Sequence, residues 1–115
     1  MKKIAGLLAL LFLWSVAPAF AAQKTVDTDT LKGWCQQQEV GVSAIGHLCE
    51  GYINGVADVL SGGNAINGNR ACIPDKVLLE DYLATVIKAL KDNTQNSQKA
   101  YDLVARVLAK AYPCK

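Results

Sequence analysis

Apolar residues fall along this chain in one continuous run followed by stretches at helical spacing, with polar or glycine-rich breaks between them. Leu48, Tyr52, Val56 and Leu60 recur at four-residue steps, with Ile53 and Val59 alongside. That spacing places one apolar face on an α-helix. Leu79, Tyr82, Leu83, Val86, Ile87 and Leu90 form a second, wide stripe. Asp75, Glu80 and Asp81 lie early in it and Lys88 and Lys91 late, which suits the helix dipole. Pro74 sits where the first turn of that helix tolerates proline. Ala100, Val104, Val107, Leu108 and Ala111 form another stripe, widened by Tyr101 and Leu103 and ended by Pro113. Upstream, Leu31, Trp34 and Cys35 fit a short helix capped by Asp29 or Thr30. The polar segment 22–28 before it reads as frayed.

The breaks are equally legible. Residues 36–46 read as a loop or broken helix. Residues 61–70 run Ser-Gly-Gly-Asn-Ala-Ile-Asn-Gly-Asn-Arg, rich in residues that tolerate positive φ. Residues 92–97 are polar throughout, and Asn96 or Ser97 can cap the last helix. No repeat and no strand-like alternation of useful length occurs. The pattern predicts an all-α fold, a compact bundle of about four helices. Gly51 and Gly55 sit four residues apart within the second helix. Each costs about 1 kcal/mol relative to alanine, so their spacing predicts a close helix approach. Gly55→Leu should then disrupt the fold.

The continuous run changes the reading of the charge. Lys2 and Lys3 precede an apolar stretch from Ile4 to Val16, and Pro18-Ala19-Phe20-Ala21 follows with small residues at the positions a signal peptidase reads. This is the order of a cleaved secretory signal over residues 1–21. The run is short for a bilayer span, which takes about 20 apolar residues. Cleavage leaves a single domain over 22–115. The formal charge of +2 rests on Lys2 and Lys3, so the domain itself is balanced. A basic-patch reading for nucleic acid or membrane is thereby excluded.

All four cysteines, Cys35, Cys49, Cys72 and Cys114, lie beyond the signal. An even count in an exported chain reads as two disulfides, and a core this small needs such staples. No C-x-x-C occurs and the single histidine, His47, fits no ligand pattern, so the spacing argues against zinc. An antiparallel hairpin of the last two helices would bring Cys72 near Cys114. Cys35 and Cys49 would meet across the loop between the first two helices. The expected pairing is therefore Cys35–Cys49 and Cys72–Cys114, one of three connectivities that four cysteines allow.

Candidate chemistry is thin. His47 and Cys49 lie about 200° apart around a helix, which does not make a nucleophile–base pair. Glu50 and Asp58 are separated by about 12 Å of helix rise, too far to share a proton. Ser43 and Ser61 have no acid and histidine at a recognisable spacing. The glycines of 61–70 precede no Lys-Ser/Thr phosphate motif. The expectation is a chain that is not an enzyme and needs no cofactor. Its profile is that of a stapled scaffold presenting loops for binding.

The segment Cys49-Glu50-Gly51-Tyr52-Ile53-Asn54-Gly55-Val56-Ala57-Asp58 resembles the C-x-G-Y-I-x-G-V-x-D signature of the Rap/Tai immunity proteins. Cys72-Ile73-Pro74 resembles that family's second marker. The ending Ala111-Tyr112-Pro113-Cys114 resembles its third. Together the markers cover 31–114. The resemblance implies a helical, often dimeric, periplasmic antitoxin. Its target would be a peptidoglycan amidase delivered by a type VI secretion system, blocked by a loop entering the cleft. The expected partner loop is Lys91, Asp92, Asn93, Thr94, Gln95, Asn96 and Ser97. A competing expectation is a periplasmic acid-stress chaperone, which would expose apolar surface near pH 2 to 3 as carboxylates protonate.

Overall fold

The computed structural model describes residues 25–39, 44–93 and 98–115. The signal segment lies outside them, as do Thr94–Ser97 and the two expected caps there. Four helices are present: α1 (Thr28–Glu39), α2 (Ala44–Ser61), α3 (Leu79–Asp92) and α4 (Ala100–Ala111). Among the described residues there is no strand, only isolated bridges at Asp27–Lys99 and Ile66–Asn69. Every pair of helices is in contact, with α1 and α2 packed most extensively.

The core follows from the periodicity. Leu31 of α1, Ile53 and Leu60 of α2, Val86 and Leu90 of α3, and Val104 and Leu108 of α4 are fully buried together. Each such side chain contributes about 1.5–3 kcal/mol on burial. Ordering each residue's backbone costs about 1–2 kcal/mol, so a core of this size has little surplus. Both expected disulfides are present, Cys35–Cys49 and Cys72–Cys114, closing separations of 14 and 42 residues. In the chain-entropy picture they stabilise by about 3 and about 4 kcal/mol.

Three local expectations are corrected. The start of α1 is set by Asp27, not by Asp29 or Thr30. Its carboxylate accepts the Thr30 amide at 2.8 Å, and its carbonyl accepts the Leu31 amide at 3.1 Å. Residues 26–28 are not frayed, because they are tied to the strand-like entry of α4. The Thr28 amide donates to the Gln98 carbonyl and the Ala100 amide to the Val26 carbonyl, both at 2.9 Å. Finally, Pro74 opens a turn, closed by the Val77 amide on its carbonyl at 2.9 Å, and α3 begins five residues later. There the Leu78 amide donates to the Asp81 carboxylate at 3.2 Å, capping the first turn.

The face of α2 is rotated from the expected one. Cys49, Ile53, Val56, Ala57 and Leu60 point inward, whereas Leu48 and Val59 are 48% and 46% exposed. Apolar residues line both sides of this helix, so periodicity alone did not choose between them. The glycine pair falls on the outer side. A Cβ built on Gly51 or Gly55 would meet nothing within 4 Å, so no close approach is made to either among the described residues. Alanine at either position should therefore raise stability by up to about 1 kcal/mol, read from chemical denaturation. A loss of stability would restore the close-approach reading.

Two tyrosines tie α2 to its neighbours. The Tyr82 hydroxyl donates to Asn54 Oδ1 at 2.6 Å, and the Tyr52 ring meets Trp34 edge-on with centroids 6.3 Å apart. Burial pushes both phenols above their ordinary value of 10.0, reinforced at Tyr82 by Asp58 and Glu50. A phenol whose pKa is raised by folding binds its proton more tightly in the folded chain, so its protonated form favours folding. The contribution is complete below about pH 10 and lost as pH rises through the raised folded values. Denaturation midpoints should not respond to these tyrosines at neutral pH and should fall above about pH 10, in step with phenolate absorbance. Phenolate appearing at its ordinary pH without loss of stability would contradict this.

Candidate functional site

The longest described stretch without helix is the α2–α3 connection, residues 62–78. Its composition favours turns, and the turns are tightly made. The Gly62 amide donates to the Asp58 carbonyl and the Gly63 amide to the Leu60 carbonyl, both at 3.1 Å, ending α2. Gly63 adopts φ +83°, the left-handed geometry that glycine takes without strain at a helix C-terminus. Ile66 and Asn69 exchange backbone hydrogen bonds of 3.0 and 2.9 Å around Asn67 and Gly68. With φ of 48° and 79°, these two form a type I′ turn, for which Asn-Gly is the preferred pair.

The rest of the connection is anchored on both sides. Arg70 reaches back with Nη1 to the Gly63 carbonyl at 3.3 Å. The Asn67 side-chain amide donates to the Asp102 carboxylate of α4. The Cys72 amide donates to the Tyr112 carbonyl at 2.8 Å, beside the Cys72–Cys114 disulfide. Ile66, Ile73 and Val77 pack against the core, and Ala71 is buried. Asn64, Ala65, Asn67, Gly68 and Arg70 remain exposed. The result is a polar loop whose backbone is fixed before any partner arrives.

Two clefts border this loop. One, of about 450 Å³, is lined by Asn64, Arg70, Pro74 and Asp75, with Leu60 and the Cys72–Cys114 disulfide among its walls. The other, of about 420 Å³, is lined by Asn67, Asn69, Gln98, Lys99, Asp102 and Arg106. In it Arg106 Nη2 donates to Gln98 Oε1 at 3.1 Å. Lys99 Nζ lies 5.7 Å from the Tyr101 ring centroid, and hydrogen bonding to Tyr101 holds its pKa above the usual lysine value. Both clefts offer mixed charge and many hydrogen-bonding groups. No cluster of three metal-capable side chains occurs among the described residues.

The partner loop expected from sequence is only partly visible. Lys91 and Asp92 are exposed at the end of α3 and Asn93 is half-buried, while Thr94, Gln95, Asn96 and Ser97 lie outside the described residues. Asp92 borders a third groove, about 460 Å³, between α3 and α4, where Lys88 and Lys110 also lie. Of the sequence-named residues, the disulfide Cys72–Cys114 adjoins the α2–α3 loop, whereas Gly51 and Gly55 lie on the outer side of α2. The residues missed were Asn64, Asn67, Gly68, Arg70 and Asp102. Asn67-Gly68 carried a readable hairpin signal. Its docking against Asp102, 35 positions away, had none.

A disulfide-tied helical scaffold carries a polar loop bordered by two clefts of mixed charge. The model of the Rap1a immunity proteins matches residues 27–114, and the chain belongs to that family. No curated protein and no solved structure matches it. Proteins of this kind bind a secreted effector and are generally not enzymes.

The loop's turn is open to direct test. Gly68→Ala forces a side chain into φ +79°, although there is space for it. The strain should cost about 1 kcal/mol. Its spectroscopic changes should be confined to the loop and the start of α4. A neutral result would show that the turn adjusts freely.

Proposed function

We propose that this protein is a periplasmic immunity protein that binds and occludes a peptidoglycan amidase delivered by a type VI secretion system, so protecting the cell that makes it. The family match over residues 27–114 carries this reading. Two disulfides suit an oxidising compartment. The order of charge, apolar run and small residues in 1–21 suits export by a cleaved signal.

The α2–α3 loop is the effector-facing surface in this proposal. Its backbone needs little ordering on contact, which leaves more of the interaction free energy for affinity. Arg70 and Asp75 on one flank, with Lys99, Asp102 and Arg106 on the other, supply groups for a polar enzyme cleft. The 91–97 segment is the competing surface. A second copy of the chain is assigned to the outer side of α2, where Ile45, Leu48, Tyr52, Gly55 and Val59 recur at alternating three- and four-residue steps. Such a seam, with glycine allowing near approach, fits a helix packing on its own copy. Gly55→Leu should then weaken self-association and leave the fold intact.

The adjacent reading frame should encode a small cysteine–histidine amidase. Co-expression should give a complex that co-purifies at micromolar concentration and no longer cleaves peptidoglycan peptides. Absence of binding at that concentration would contradict the proposal. Asn67→Trp, at the exposed turn, should weaken binding at least tenfold, whereas Asp92→Ala should change it little.

A further inference from the structure

The two disulfides occupy opposite environments. Cys35 and Cys49 are 2% and 0% exposed and belong to the hydrophobic core between α1 and α2. Cys72 and Cys114 are both exposed, and their bond lies in the wall of the cleft beside Arg70 and Asp75. Thiol–disulfide exchange requires a thiolate to reach a sulfur, so access separates labile bridges from inert ones.

The exposed bridge also holds a distinct part of the molecule. It joins the α2–α3 loop to the segment after α4, which ends at Ala111. The backbone bond from Cys72 to Tyr112 runs parallel to it. The buried bridge joins α1 to α2. Next to the exposed bridge, Arg70 is exposed while Ala71 is 4% exposed. The peptide bond between them joins an exposed residue to a buried one, directly before Cys72.

We propose that Cys72–Cys114 is a thiol-accessible latch. A dithiol reductant opens it selectively and loosens the 62–78 loop and the C-terminal segment, while the helical core stays closed around Cys35–Cys49. A thiolate of the reductant attacks one exposed sulfur, forming a mixed disulfide and releasing the other cysteine as a thiolate, which takes up a proton. The reductant's second thiol then attacks the mixed disulfide and frees the remaining cysteine. Two electrons and two protons pass to the protein, and the dithiol ends as a disulfide. An open latch would weaken effector binding, a consequence that rests on the loop being the contact surface proposed above. The latch itself does not depend on that reading.

The test uses the oxidised protein alone. It is treated with graded dithiothreitol under native conditions, alkylated and mapped by mass spectrometry, with circular dichroism and brief trypsin digestion in parallel. The latch predicts that Cys72 and Cys114 label first, at least tenfold faster than Cys35 and Cys49, with the helical signal kept. Cleavage after Arg70 should rise at least tenfold in the same interval, while Arg106, inside α4, stays protected. Labelling of all four cysteines together, loss of helix with the first pair, or unchanged cleavage at Arg70 would each overturn the proposal. The C72S/C114S double variant should fold with Cys35–Cys49 formed and be sensitive at Arg70 without reductant. Failure of that variant to fold would also contradict an independently closed core.

Discussion

Holding an irregular segment of some seventeen residues still, on a core as small as this one, is the constraint on which the rest of the structure depends. The helices can bury Leu31, Ile53, Val86, Val104 and Leu108 against one another. The 62–78 connection, between α2 and α3, has no helix to order it. Ala71 is its one buried side chain in the core, and Ile66, Ile73 and Val77 pack against that core only partly buried. The link from Cys72 to Tyr112 and Cys114 supplies what packing cannot. It brings together two segments 42 positions apart and thereby forms a wall of the cleft beside Arg70 and Asp75.

That division of labour assigns the two disulfides different tasks. Cys35–Cys49 lies where α1 and α2 already pack closely, and it stabilises a contact that the sequence favours on other grounds. Cys72–Cys114 stabilises a surface. Turn chemistry completes the job locally, through Asn67 and Gly68 at positive φ, Arg70 on the Gly63 carbonyl and Asn67 on Asp102. A loop so tied has little conformational freedom left to lose on contact with a partner. Family membership supplies the kind of partner, a secreted effector.

The helices were legible in the sequence because apolar spacing is a local signal, and so were both disulfides once the helix order was known. The ends of the helices were less so. Asp27 looks no better a cap than Asp29 until the backbone of 26–28 is seen to pair with 98–100. The inner face of α2 is not fixed by periodicity, because Leu48 and Val59 are as apolar as the residues facing inward. The Gly51–Gly55 spacing predicts a close helix approach, but the space around both positions is open. The contact between the Asn67 turn and α4 is tertiary, and no spacing rule announces it. The resemblance points to the 91–97 connection, of which residues 94–97 lie outside the described residues.

Hydrogen exchange of the protein, alone and saturated with its cognate effector, is the closest test of the proposed α2–α3 contact surface. The largest slowing should fall on amides of residues 63–72 and on the start of α4 around Asp102. Unchanged exchange there, with new protection confined to residues 91–97, would contradict it.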